Sequence, residues 1–267
     1  IPAGGNASLG TTNILSITNG GKVNVGTTTQ RNMILGQWDT PYSRYDINGG
    51  QLNLNANSRI RVAEQNGTGT QIINLNSGAI TFYSDNQTTL GSTGDFDVQY
   101  GGGANTRTTF NLNGGKITLR RFYSTQTTGT RVINLNGGTL AASAEDINMI
   151  STTVTTGNGR VNVRNGGAIV DSNGRTNVSI NAALLHSDVA GDAAVDGGLT
   201  KIGNGKLTLA GVNTYTGDTT VQAGTLALGI LEHGHLELDV AHLRSPDARE
   251  PGVLGGRLDG RVDDRFP

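Results

Sequence analysis

The chain has 267 residues, with 41 Gly, no Cys, one Trp and a formal net charge of −1 from 20 Lys+Arg against 21 Asp+Glu. That balance excludes a nucleic-acid clamp and a polybasic membrane binder, since both need a field of one sign. Zero Cys excludes disulfide frameworks and thiolate metal sites, and no run reaches the ~18 apolar residues of a membrane span.

Two compositions share the chain. Residues 1–229 hold 27 Asn and 34 Thr, whereas 230–267 hold neither; charged residues number 28 and 13 in the two parts. The first part reads as a repeat domain, rich in β-branched residues that suit pleated surfaces. The second reads as a C-terminal cap, a linker or a disordered tail.

An apolar alternation, Asn-Gly-Gly and a second alternation recur as ILSITNGGKVNV, YDINGGQLNLN, IINLNSGAITF, FNLNGGKITL, VINLNGGTLAA and VNVRNGGAIV. The second glycines fall at Gly21, Gly50, Gly78, Gly115, Gly138 and Gly167, spaced 29, 28, 37, 23 and 29 residues apart. This is the signature of solenoid coils with loops of variable length. Alternation turns Ile73 and Leu75 to one face and Asn74 and Asn76 to the other. From Leu112 to Ile117, and from Leu135 to Leu140, the inward phase jumps five residues, so the chain bends at Asn-Gly-Gly. An antiparallel hairpin is the competing reading of Asn-Gly. Repetition of whole units instead favours equivalent strands stacked in parallel, burying Ile/Leu/Val columns and aligning Asn or Thr into ladders. The expected fold is all-β, a single-stranded parallel β-helix with little helix.

Ten of the twelve aromatics lie between residues 38 and 123. Trp38, Tyr42, Tyr83 and Tyr123 are the candidates for a lateral groove in which rings pack on sugars; the alternative is that the aromatics fill the core or stiffen corners. Were such a face catalytic, Asp85, Asp95 and Asp97 would be the acid and base candidates, with Arg120 or Arg121 stabilising negative charge. Asp95 and Asp97 share a side only if 94–98 is extended.

Residues 197–229, GGLTKIGNGKLTLAGVNTYTGDTTVQAGTLALG, closely resemble the autotransporter-associated β-strand repeat of bacterial passenger regions. The resemblance rests on Gly198-Leu199, Lys201, Gly203-Asn204-Gly205, Leu207-Thr208-Leu209, Asn213 to Gly217, Thr219-Thr220-Val221 and Ala223 to Leu226. It implies a right-handed parallel β-helix exported to the cell surface or released outside. The membrane β-barrel of a complete autotransporter is not in this chain, which implies a passenger fragment, a truncated product or a secreted relative. The tail after 229 is either a last half-coil, with Leu236, Leu238 and Val240 inward, or the product of a shifted reading frame.

Motifs for a nucleophile elbow, a phosphate loop, a dinucleotide turn, a zinc helix and calcium loops are absent from the sequence. His233 and His235, with His242 or Glu237, have metal-ligand spacing, but they sit in a charged tail, and no metal or cofactor is expected. The leading expectation is a noncatalytic, exported stalk or adhesin-like passenger contacting polysaccharide or cell-surface glycans, without nucleic-acid partners or membrane insertion. A β-helical polysaccharide lyase or glycoside hydrolase is the second reading. A structural element self-associating through the β-helix ends is the third.

Overall fold

A computed structural model describes residues 12–26, 29–37, 41–55, 57–64, 69–84, 89–91, 93–145 and 147–229, with the backbone of 243–244. The chain winds as a parallel β-helix. Its first circuit is β1 (Thr12–Thr18), β2 (Lys22–Val25) and β3 (Asn32–Gln37). The second is β4 (Tyr42–Leu54), which runs through the corner, and β5 (Arg59–Glu64); the third repeats this with β6 (Gly69–Phe82) and β7 (Asp95–Asp97). From the fourth circuit the corner separates two strands, giving β8 (Thr106–Leu112), β9 (Lys116–Leu119) and β10 (Arg121–Tyr123). Next come β11 (Thr130–Leu135), β12 (Thr139–Ala142) and β13 (Ile147–Asn148). A single turn of helix, α1 (Thr152–Thr155), precedes β14 (Asn158–Val163), β15 (Ala168–Asp171) and β16 (Val178–Ile180). The described chain closes with β17 (Leu185–His186), β18 (Leu199–Ile202), β19 (Lys206–Leu209), β20 (Thr219–Val221), β21 (Thr225–Leu228) and β22 (Leu243–Arg244).

Every pairing between these strands is parallel, in three files. The first file runs through β1, β4, β6, β8, β11, β14 and β17. The second runs through β2, the later halves of β4 and β6, β9, β12, β15, β18, β20 and β22. The third has two sections, β3-β5-β7-β10 and β13-β16-β19-β21, linked by a parallel bridge between Phe122 and Ile150.

Parallel register puts like on like. Ile17, Ile47, Leu75, Leu112, Leu135 and Val163 are successive partners and all are buried. Each such side chain contributes about 1.5–3 kcal/mol on leaving water. Phe96, Phe110 and Phe122 meet between the files with ring centroids 4.9–5.3 Å apart. With Phe82 they take four of the clustered aromatics into the core.

On the outer side of the first file the side-chain amides form a directed ladder. Asn74 Nδ2 donates to Asp46 Oδ1 at 2.7 Å, Asn111 to Asn74 at 2.7 Å, Asn134 to Asn111 at 2.7 Å and Asn162 to Asn134 at 3.0 Å. Charge closes both ends. Asp46 only accepts, its second oxygen taking Arg44 Nε at 2.7 Å, and Arg160 Nε donates to Asn162 Oδ1 at 3.2 Å. A second ladder joins Asn48, Asn76, Asn113 and Asn136.

The corner between the first two files is where Asn-Gly-Gly and its variant Asn-Ser-Gly lie. Gly78 has φ +87°, and a Cβ there would sit 2.1 Å from the carbonyl oxygen of Gly50 in the coil below. At Gly115, φ +65°, the same atom would lie 2.5 Å from Gly78 O. Both dihedral and contact demand glycine.

Among the described residues, two cations lie inside. Lys201 occupies the inward position of the second file, between its register partners Val170 and Val221. Its ammonium donates to the carbonyls of Ile202, Gly203 and Ala223 at 2.7–3.1 Å, while burial holds its pKa below the ordinary lysine value. The motif lysine of the C-terminal repeat thus ties a Gly-Asn-Gly turn to the next coil. Arg131, likewise buried, bonds Thr128 O at 2.7 Å, Gln99 Oε1 at 3.3 Å and Thr156 O.

Candidate functional site

Three tripeptides in the third file share one pattern: Arg59-Ile60-Arg61 in β5, Asp95-Phe96-Asp97 in β7 and Arg121-Phe122-Tyr123 in β10. Strand alternation points the middle residue of each into the core, where Ile60, Phe96 and Phe122 are register partners. The flanking residues are thereby forced outward. Arg61, Asp97 and Tyr123 align across the coils, as do Asp95 and Arg121, with Arg59 preceding Ile60 in the same phase. Arginine over aspartate over arginine is the favourable cross-strand order.

Asp95 is the hub. Arg120 grips it with two parallel bonds, Nε to Oδ1 at 2.7 Å and Nη2 to Oδ2 at 2.6 Å; Arg121 Nη2 adds a contact at 3.3 Å, and Arg59 Nε stands 4.0 Å away. Asp97 is held differently. Its Oδ1 accepts from the backbone amides of Gln99 at 3.1 Å and Thr125 at 3.2 Å, and its Oδ2 from the Thr125 hydroxyl. Among the described residues no guanidinium bonds to Asp97, and burial raises its pKa above the ordinary carboxylate value, opposed in part by hydrogen bonds from Thr125, Gln99 and Tyr123. Tyr123 is raised as well, by burial first and then by Asp97 and Asp95. Guanidiniums lie over two tyrosines: Arg61 is 4.0 Å from the Tyr100 ring centre and Arg121 is 4.5 Å from that of Tyr123. Arg61 Nη1 also pairs with Glu64 at 3.1 Å.

Of the residues singled out from sequence, Asp95, Asp97, Arg120, Arg121 and Tyr123 come together here, and β7 is extended as a shared side requires. Asp85 and Trp38 lie outside the described residues, as do His233, His235 and His242. Tyr42 opens β4 in the first file and Tyr83 follows β6 at the end of the second, so the structure places neither in the third file. Tyr45 is half-buried, its hydroxyl donating to Ile34 O at 3.0 Å and its pKa pushed up to about 12 by burial. Sequence reasoning passed over Arg59, Arg61 and Thr125. The signal for Arg59 and Arg61 was the charged-apolar-charged pattern that Arg59-Ile60-Arg61 shares with Asp95-Phe96-Asp97; no pattern marked Thr125, two residues beyond Tyr123.

Chemically, both aspartates are closed. Asp95 is 1% exposed and Asp97 0%, and the oxygens of each already accept protein donors. An acid-base pair for glycoside cleavage needs carboxyls that reach the sugar. The arginines cover these acids and meet solvent instead.

A second cluster lies in the C-terminal coils. Asp196 accepts from the amides of Thr216, Gly217 and Gly198 and from His186 Nδ1 at 2.9 Å. Burial works against its ionisation, but these bonds outweigh it and hold its pKa below the ordinary value. Arg164 clamps Asp192 with two bonds of 2.8 Å. These contacts pin successive coils together. Among the described residues, no three His, Cys, Asp or Glu side chains are grouped to hold a metal.

Residues 199–228, which form β18 to β21, match the passenger-associated-transport-repeat family. The chain therefore carries an autotransporter passenger repeat, and that repeat implies an exported surface protein. No curated protein and no solved structure matches the chain.

Proposed function

We propose that this chain is a noncatalytic passenger segment, a β-helical stalk that holds surface-exposed material away from a bacterial cell. The observation that carries the reading is continuity: β18 and β19 of the matched repeat pair in parallel register with β15 and β16 of the preceding coils. One uninterrupted solenoid therefore joins the passenger repeat to the upstream Asn-Gly-Gly coils. Each circuit adds about 4.8 Å of rigid length, and register alone transmits direction along it. The closed state of Asp95 and Asp97 supports a structural role over a hydrolytic one.

Placing the chain between a secretory leader and an outer-membrane translocator in a Gram-negative host tests the proposal. Protease added to intact cells should digest the chain while a periplasmic marker survives. Protection of the chain until the outer membrane is opened would overturn the reading.

A further inference from the structure

The outer surface of β5, β7 and β10 presents cations over concealed anions. Side-chain exposures are 33% for Arg59, 19% for Arg61, 27% for Arg120 and 38% for Arg121, against 1% for Asp95. Four guanidiniums thus stand with three carboxylates, those of Asp95, Asp97 and Glu64, and only the guanidiniums and Glu64 reach the surface. We propose that this face is a binding site for acidic polysaccharide, with Arg59, Arg61 and Arg121 receiving carboxylate or sulfate groups.

Donor accounting supports a ligand rich in acceptors. Asp95 is taken by Arg120 and Arg121, and Asp97 by Thr125 and Gln99. Arg59 approaches Asp95 only at 4.0 Å; the Nε groups of Arg59, Arg61 and Arg121 are sealed from solvent, so a ligand would meet the remaining, exposed part of each guanidinium. Guanidinium forks pair with planar or multi-oxygen anions through charge-assisted bonds, which are stronger than neutral ones. The tyrosine rings under Arg61 and Arg121 hold two of those forks in place, which lowers the ordering cost of binding.

Geometry favours an extended ligand. Arg59 and Arg121 are two coils apart, about 10 Å at the usual strand spacing, with the Arg61-Asp97-Tyr123 row beside them. Anionic groups repeating along a polysaccharide can meet successive coils. Duplex nucleic acid demands many more phosphate contacts than a local excess of one positive charge offers. Display outside the cell, as proposed above, is what would bring such polymers within reach; binding itself is read on purified protein, so the two proposals fail separately.

The test titrates the purified full chain with polygalacturonate, dextran sulfate, neutral dextran and duplex DNA at low salt. Expected is binding of polygalacturonate, dextran sulfate or both, weakening with salt, and none of neutral dextran; the first two probes separate carboxylate from sulfate recognition. The double variant R59Q/R61Q should lose about tenfold in affinity, while the charge-matched R107Q/K206Q, altered at exposed sites elsewhere, stays within about twofold. If R59Q/R61Q melts early, R59K/R61K supplies the test, with charge kept and the planar fork lost, and should bind several-fold more weakly than the parent. Absence of polyanion binding by the parent, equal losses in R107Q/K206Q, full affinity in R59K/R61K, or equally tight binding of DNA would each overturn the proposal.

Discussion

Asp95 and Asp97 stand two residues apart on one strand face and are stabilised by opposite means. Asp95 neutralises a cluster of guanidiniums, so Asp95→Asn removes the only carboxylate that Arg120 grips and should cost about 2 kcal/mol; fully buried pairs cost more, but these arginines are partly solvated. Among the described residues, no cation is bonded to Asp97. Its folded pKa lies above the unfolded value of 3.8 because burial disfavours the anion, so the folded state holds this proton more tightly than the unfolded chain does. Its contribution is therefore most favourable below pH ~3.8 and declines as pH rises through the raised value. In Asp97→Asn the oxygen still accepts the Gln99 and Thr125 amides and the new NH2 can donate to the Thr125 hydroxyl. That variant should equal or exceed the parent in stability at pH 7, with the advantage gone below about pH 4. Urea midpoints at pH 3.5 and 7 for both variants check the pair; a larger loss at pH 7 in Asp97→Asn than in Asp95→Asn would contradict this account.

At the scale of strands, the amide ladder gives each coil a polarity, since every asparagine donates toward the N-terminal neighbour. Asn111→Asp deletes the donor to Asn74 and sets two acceptors against each other, at a cost of about 1–3 kcal/mol. Asp46→Asn, at the accepting end, keeps its bond from Asn74 and forfeits only an ion pair to the well-solvated Arg44, so its cost should stay within about 0.5 kcal/mol. Equal shifts in denaturant midpoint for the two variants would show that the ladder has no direction of consequence. These elements were legible in the sequence because alternation, the Asn-Gly-Gly corner and the five-residue phase jumps all recur in the first two files. The third file was not. Strands β7 and β10 are three residues each, too short for a periodic signal, and loops of unequal length separate them from the corners. The site shows the same division: strand parity alone placed Asp95 beside Asp97, whereas the arginines that cover them come from coils whose register only the fold supplies. Lys201 marks the limit of pattern reading, a cation at an inward position that apolar alternation assigns to an aliphatic residue.

For the whole molecule, strand pairing joins each circuit to its neighbours, with a few side chains such as Lys116 reaching one coil further, to Asp171 at 2.9 Å. Stability should therefore be close to a sum over coils and their interfaces. Register defines where the chain can be shortened. Leu135 and Val163 are partners in adjacent coils, so removing residues 136–163 joins Leu135 to Arg164 and restores the sequence Asn-Leu-Arg-Asn-Gly-Gly at the corner. Strand β11 then leads directly into β15, and Arg164 remains to clamp Asp192. The deletion costs Arg131 its bonds to Val154 O and Thr156 O, together with one rung of each amide ladder. The shortened protein should still unfold in a single cooperative transition, at a melting temperature lower by several degrees. Removing 136–150 instead takes out part of a circuit, brings β11 to the helical turn and turns inward-facing residues toward solvent. That chain should not fold. Far-UV circular dichroism and thermal melts separate the two, and a folded half-circuit deletion, or a whole-circuit deletion that fails to fold, would mean that the coils do not act as interchangeable units.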